Sequence, residues 1–288
     1  MFVDTHAHLF FKDFEDDLAK VLQRAKDAGI GYVVCPGTDI ETSRQSIELA
    51  EKYENVYAAV GIHPHDAKKA APEDGKMLDF VFAEIEELSK HPKVVAVGEI
   101  GLDYHYNFSP SDIQQEVFSR QISIARQRNL PIIIHMRKAE DDTLRIVHDH
   151  VLQDTEWRRG AESKKVRQQL PKGVFHCFPG DSTMARKIIE WGFYISFPGP
   201  VTFPVKPNKP NAMVEVAEQI PLEHILLETD SPYLTPYPFR GKRNEPAHMT
   251  IIAKKVAELK GCSFEEVARL TTAGAVRLFR LGNLMNTN

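Results

Sequence analysis

Phe2-Val3-Asp4-Thr5-His6-Ala7-His8-Leu9 opens the chain with a short apolar strand that runs straight into a His-x-His pair. On an extended strand residues i and i+2 point the same way. His6 and His8 can therefore aim two imidazoles at one point, as a metal site needs. The same stretch separates the two folds open to a chain of alternating strands and helices. A doubly wound open sheet usually carries a glycine-rich, phosphate-binding turn after its first strand, and two histidines stand in that place here. A lone His-x-His is as readily a surface pair, so its meaning depends on donors at matching positions downstream.

Apolar strands are predicted at Phe2–Asp4, Tyr32–Cys35, Val56–Gly61, Val94–Gly98, Pro131–Ile134, Gly173–Phe175, Phe193–Ser196 and His224–Leu227. Amphipathic helices are expected between them, over Asp16–Ala28, Thr42–Tyr53, Lys76–Lys90, Ser111–Arg128, Glu140–Leu152, Thr183–Glu190 and Ala212–Gln219. Pro246–Lys260 and Ser263–Phe279 follow, the latter with a capping box at Ser263 and Glu266. Eight strand–helix units predict an α/β chain folded as a (β/α)8 TIM barrel. The 288 residues show no change of compositional regime, so residues 1–288 are expected to form one domain.

Further donors recur where the predicted strands end. Glu99 follows Val94–Gly98, His135 follows Ile132–Ile134, His176 follows Gly173–Phe175, and Asp230 lies just beyond Ile225–Leu227. In a barrel these C-terminal ends converge on one mouth. Together with His6 and His8 they make four imidazoles and two carboxylates, a set costly to desolvate without a cation. Six donors are too many for one tetrahedral ion and suit two, with Glu99, from the middle strand of the set, as the natural bridge.

Composition limits the partners. The net charge is −4, so a protein that coats long duplex DNA is not expected. Three widely spaced cysteines, no apolar run of membrane-spanning length and no leader-like N-terminus point to a cytoplasmic protein without a disulfide framework. No obligate protein partner is indicated. The polar stretch Gln153–Lys172 carries Arg158, Arg159, Lys164, Lys165, Arg167 and Lys172. Because it links a helix to the next strand it belongs at the N-terminal face, away from the site, and reads as a solvated insertion.

The chain resembles the TatD family of metal-dependent deoxyribonucleases, among the amidohydrolase-like metallo-barrels. The resemblance covers roughly Phe2 to Phe279. It rests on Val3–Leu9, Gly61-Ile62-His63-Pro64-His65, Gly98-Glu99-Ile100-Gly101-Leu102-Asp103-Tyr104 and Pro131–Arg137. Phe175-His176-Cys177-Phe178, Leu227-Glu228-Thr229-Asp230-Ser231-Pro232-Tyr233-Leu234 and Arg240–Pro246 complete it. It implies that His6, His8 and Asp230 hold one divalent metal ion, that His135 and His176 hold a second, and that Glu99 bridges. His63 would touch substrate or water. The implied activity is 3′-to-5′ exonuclease action on DNA, mainly single strands or ends, with Asp230 also serving as general base and Glu99 in the catalytic centre. The family acts with Mg, whereas an imidazole-rich set suits Zn or Mn.

Arg137, Arg240 and Arg243 are candidates for phosphate oxygens, because guanidinium pairs with them in bidentate fashion. Tyr104, Tyr106, Phe108, Phe203, Tyr233, Tyr237 and Phe239 fall in loops after strands and could stack bases, though most are expected to pack within their loops. His65 is expected behind the site, and Cys177 is expected to face away from it. The alternatives are a small-molecule amidohydrolase or lactonase, an aminoacyl-tRNA deacylase, or a scaffold whose site has decayed. A glutamate at the bridge disfavours the amidohydrolases that bridge with a carboxylated lysine, and the full donor set disfavours decay.

Overall fold

The computed structural model describes residues 1–71, 78–152, 157, 170–205 and 211–282. Eight parallel strands lie in sequence order in one sheet: β1 Phe2–Asp4, β2 Ile30–Pro36, β3 Val56–Val60, β4 Val94–Asp103, β5 Ile132–Arg137, β6 Gly173–Phe175, β7 Phe193–Phe197 and β8 Ile225–Leu227. Every neighbouring pair is parallel, so each connection must cross back over the sheet, and helices make that return. The seam between β8 and the chain beyond β1 is closed by Thr5 N–H donating to the Leu227 carbonyl (3.2 Å) and by a bridge from Ala7 to Ser231.

Among the described residues the helices are α1 Leu18–Asp27, α2 Ile40–Lys52, α3 Asp79–Leu88, α4 Ser111–Arg128, α5 Glu140–Val147, α6 Ser182–Glu190, α7 Ala212–Gln219, α8 Met249–Lys260 and α9 Phe264–Phe279. None is long and apolar enough to cross a membrane. Four of these helices open on a capping side chain, among them Asp181 on α6 and Asn211 on α7. Asp39 and Thr42 form a reciprocal capping box on α2, and Ser263 Oγ accepts from Glu266 N–H at the start of α9.

Two apolar layers follow from strand alternation. Val3, Val34, Ala59, Val95, Ile133, Val174, Tyr194 and Leu226 supply one buried residue from each strand to a common cluster. Residues from all eight strands can meet only inside the barrel. Leu278 and Phe279 of α9 join that cluster and plug the N-terminal end. The other face of the strands packs against the surrounding helices in a separate, larger cluster.

Three sequence expectations are corrected. β4 does not stop at Gly98 but runs to Asp103, because its register with β5 slips between Val97 and Ile100. The slip is a bulge, which re-aims side chains without ending the strand. It needs glycine at position 101, where φ is 142° and a Cβ would sit 1.9 Å from the His135 carbonyl oxygen. β5 likewise continues past Ile134 to Arg137, so Glu99 and His135 lie within strands, not after them. The helix expected over Glu140–Leu152 is α-helical only to Val147 and finishes in a π-type turn over His148–Leu152. Of the basic stretch, 153–156 and 158–169 lie outside the described residues, as do 72–77 ahead of α3.

Candidate metal centre

The two histidines after β1 are held by backbone bonds on both sides. Ala7 N–H donates to the Val34 carbonyl (3.0 Å) and His8 N–H to the Ser231 carbonyl (2.8 Å). Asp230 N–H donates to the His6 carbonyl at 2.8 Å. This bond accompanies a left-handed backbone at Asp230 (φ 54°), a conformation that persists in a non-glycine residue only where its surroundings hold it. Behind the seam the buried Asp4 carboxylate accepts from both Thr229 N–H (2.9 Å) and Thr229 Oγ1 (2.6 Å). The strand carrying His6 and the strand carrying Asp230 are thereby clasped together.

Glu99 lies at the centre, and its two oxygens face different histidines. Oε2 is 3.3 Å from His6 Nε2 and 3.7 Å from His8 Nε2. Oε1 is 2.8 Å from both His135 Nδ1 and His176 Nε2, and 3.4 Å from His63 Nε2. Asp230 Oδ1 stands on the Oε2 side, 3.8 Å from His6 Nε2 and 3.6 Å from His8 Nε2. Each donor expected from the sequence thus lies in one cluster, on the side of Glu99 that the resemblance implies. His63 joins it more intimately than expected. His63, Glu99 and His135 offer ligand atoms within 4.8 Å of one another, as do His6, His8 and Glu99, and His6, His176 and Glu228.

Hydrogen bonds at the rear of the rings fix which nitrogen points inward. His8 Nδ1 lies 3.1 Å from the Pro36 carbonyl, which can only accept, so the proton is on Nδ1 and Nε2 offers its lone pair to the site. His135 Nε2 lies 3.0 Å from Asp103 Oδ2, which leaves Nδ1 inward. His63 Nδ1 accepts from His65 N–H (3.1 Å), so its Nε2 carries the proton.

The charges respond accordingly. Burial opposes ionisation of Glu99, but the surrounding imidazoles, the charge of His176 foremost and the hydrogen bond from His135 among them, outweigh it and hold the carboxyl well below the usual carboxylate range. Burial also disfavours a charged His176, yet Glu99 and Glu228 carry it well above the ordinary imidazole value. Burial likewise lowers His8 and His135, and carboxylates reverse the effect, Asp230 and Glu99 for His8 and Asp103 and Glu99 for His135. At His63 burial prevails and pushes the ring down to about 4, so it stays neutral.

These residues fit a bound cation. His6 Nε2 and His8 Nε2 face each other at 3.2 Å, and His135 Nδ1 and His176 Nε2 at 3.3 Å, each pair aimed at one carboxylate. Lone pairs brought so close repel unless a proton or a metal lies between them. Among the described residues His6 Nδ1 and His176 Nδ1 are buried without a hydrogen-bond partner, which leaves both rings underdetermined by those contacts alone.

Three supporting carboxylates were not anticipated: Asp4, Asp103 and Glu228. Asp103 holds His135 Nε2 and also lies 3.0 Å from His65 Nε2. Burial raises its pKa, but those two rings hold it far below the carboxylate range. Glu228 accepts from Cys177 N–H and Ser196 Oγ, both at 2.6 Å, with Oε1 3.7 Å from His176 Nδ1. A sequence signal existed, since Asp4 and Glu228 each precede a donor by two residues, on the same side of an extended chain. We predict that Glu228→Gln, which keeps the shape and loses the charge, weakens metal binding or activity by about 10–100-fold. Metal titration checks this, and an unchanged affinity and rate would remove Glu228 from the support of His176.

The arginines divide. Arg137 is exposed at the end of β5, with its guanidinium 4.6 Å from the Tyr106 ring centre. Arg240 stacks over Phe203 at 4.8 Å. Arg243 does not meet the expectation of a free phosphate ligand. Its fork is taken by Asp17 (2.8 and 2.9 Å) and by the Asp13 carbonyl, and it pins the loop after β8 to the start of α1. Tyr104 is likewise structural, its hydroxyl donating to Asp142 (2.9 Å). Cys177 does not continue the strand alternation that would turn it from the site. Its backbone is left-handed (φ 44°), and after burial the nearby charges of Asp230, Glu228 and Glu99 hold its thiol well above the usual range.

An eight-stranded parallel barrel with imidazoles and carboxylates gathered at its C-terminal mouth defines the class of metal-dependent hydrolases. Residues 3–280 match the family described as TatD related DNase, and the chain belongs to that family. It is 45% identical over 281 residues to the metal-dependent hydrolase YabD of Bacillus subtilis, covering 98% of this chain and 100% of that one. It is 32% identical to the 3′-5′ ssDNA/RNA exonuclease TatD of Shigella flexneri, covering 96% and 98%. The crystal structure of YJJV, a TatD homologue from Escherichia coli, superposes with a TM-score of 0.81 at 29% identity, covering 97% and 98%.

Proposed function

We propose that this metal-dependent hydrolase cleaves phosphodiester bonds, removing nucleotides from the 3′ ends of single-stranded DNA. The observation that carries the reading is the division of Glu99, one oxygen facing His6 and His8 and the other facing His135 and His176. Such a carboxylate can bridge two cations, and a pair of cations suits the non-bridging oxygens of a phosphodiester. His6, His8, Asp230 and Glu99 Oε2 would hold one; His135, His176 and Glu99 Oε1 would hold the other. Divalent cations there, Mg, Mn or Zn, would supply Lewis acidity and bring the pKa of water from about 15.7 toward 7.

The protein's own groups have distinct parts. Glu99 would hold the cations and not carry a proton to solvent, because its side chain is only 4% exposed. Asp230 is 15% exposed, so it can take a proton at Oδ1 and pass it to solvent. Burial raises the Asp230 pKa, but the hydrogen bond with His8 and the neighbouring imidazoles prevail and keep it below its ordinary value, ready to accept. Neutral His63, with its proton on Nε2, can donate to a phosphate oxygen without adding charge. Among the described residues Arg137 and Arg240 contact aromatic rings, Tyr106 and Phe203, through the guanidinium face, so the edge of each can meet the backbone of the strand. The 32% identity to a relative named as an ssDNA/RNA exonuclease supports the same substrate class.

A 5′-labelled single strand should shorten from its 3′ end in Mg or Mn and stay intact in excess chelator. If no divalent ion yields shortening of any oligonucleotide while an amide, a lactone or an aminoacyl ester is hydrolysed, the nuclease reading is wrong.

A further inference from the structure

Tyr106 and Phe108 lie parallel, with ring centres 5.3 Å apart and planes 1° apart. They are 47% and 54% exposed, although aromatic side chains of this size are normally covered by their own loop. Arg137 lies over the Tyr106 ring, and His65 meets both rings edge-on at 5.4 and 4.9 Å.

This pair is tied to the metal centre. Asp103 Oδ1 accepts from the backbone N–H groups of His105 (2.9 Å) and Tyr106 (3.2 Å), which sets the start of the loop. Its other oxygen, Oδ2, contacts both His135 and His65. One buried carboxylate thus orients a metal-facing imidazole and the backbone from which the aromatic pair projects.

We propose that Tyr106 and Phe108 form a stacking subsite for an unpaired nucleobase of the substrate strand, with Arg137 set for the adjacent phosphate. This rests on the phosphodiester reading above and adds to it how the strand is held. The chemistry points to a base over other flat apolar groups. A base carries a phosphate within reach of a guanidinium, and an exposed ring pair fixed in advance loses little conformational freedom when a base settles on it. Stacking is tolerant of base identity, so the subsite would grip a strand without reading its sequence.

The test compares wild type with Tyr106→Ala, Phe108→Ala and the conservative Tyr106→Phe. KM is measured on a single strand and on the same strand with an abasic residue at each of its last three positions. Binding is read separately by anisotropy of a fluorescein-labelled strand in excess chelator. Each alanine variant should raise KM and Kd on the order of tenfold for the intact strand. The difference from wild type should close at one abasic position, and Tyr106→Phe should behave as wild type. Variants that keep the wild-type KM and Kd overturn the subsite, as does a loss equally large on every abasic strand, which would mark damage to the loop. Wild-type protein inert toward every strand would overturn the phosphodiester reading and the subsite with it, whereas active wild type with unaffected variants overturns the subsite alone.

Discussion

Glu99→Gln should bring metal-dependent hydrolysis down on the order of a thousandfold or more, since losing a mere supporting partner of a metal ligand costs about 10–100-fold. The amide keeps the volume and one carbonyl oxygen but removes the charge that faces five imidazoles, those of His6, His8, His63, His135 and His176. Metal content should fall at both positions together, because each side of the pair depends on one oxygen of the same group. Elemental analysis after dialysis, set beside the rate, checks this. Full metal occupancy with full activity would show that Glu99 does not bridge. Protons give a second readout. Without metal, His8, His135 and His176 hold their protons to higher pH than an ordinary imidazole. A cation must displace those protons, so its affinity should fall as pH is lowered from about 8 to about 6. In Glu99→Gln the charge that does most to hold the proton on His176 is gone, so the proton release seen by calorimetry in different buffers should shrink.

Asp230→Asn should lower kcat by about 10²–10⁴-fold at saturating metal, the range for loss of a general base. Asparagine is the informative replacement because it tolerates the left-handed backbone at this position, where alanine would be strained. The bond from the residue 230 N–H to the His6 carbonyl involves only backbone and survives the change. A circular dichroism melt close to that of wild type should therefore accompany the loss. A kcat within an order of magnitude of wild type at saturating metal would take the proton-accepting role away from Asp230. It would leave Asp230 as an aid to binding on the His6 and His8 side.

Much of this molecule is legible along the chain. Eight apolar runs separated by amphipathic segments can close in few ways, histidines where a phosphate-binding turn would stand disfavour the open sheet, and the observed strand order is that of the barrel. The donors were readable because each interrupts or follows an apolar run, where a charged or imidazole side chain has no packing reason to be. Asp103 was harder to see. Only the bulge in β4 carries the strand on to it and turns it behind His135, and a bulge depends on how two distant strands fit together. Arg243 was misread for a related reason. Its partner Asp17 lies 226 residues away, and one-dimensional spacing does not distinguish an arginine held by a carboxylate from one free for a phosphate.

The sequence alone therefore predicted the barrel and marked six candidate donors at its strand ends. These follow from hydrophobic period and residue type, which are local properties. The tertiary structure decided which oxygen of Glu99 faces which imidazole, which ring nitrogen points inward, and which carboxylates stand behind them. Those are properties of atoms brought within about 3–4 Å by strand register and barrel closure, at distances over which hydrogen bonding and charge act most strongly.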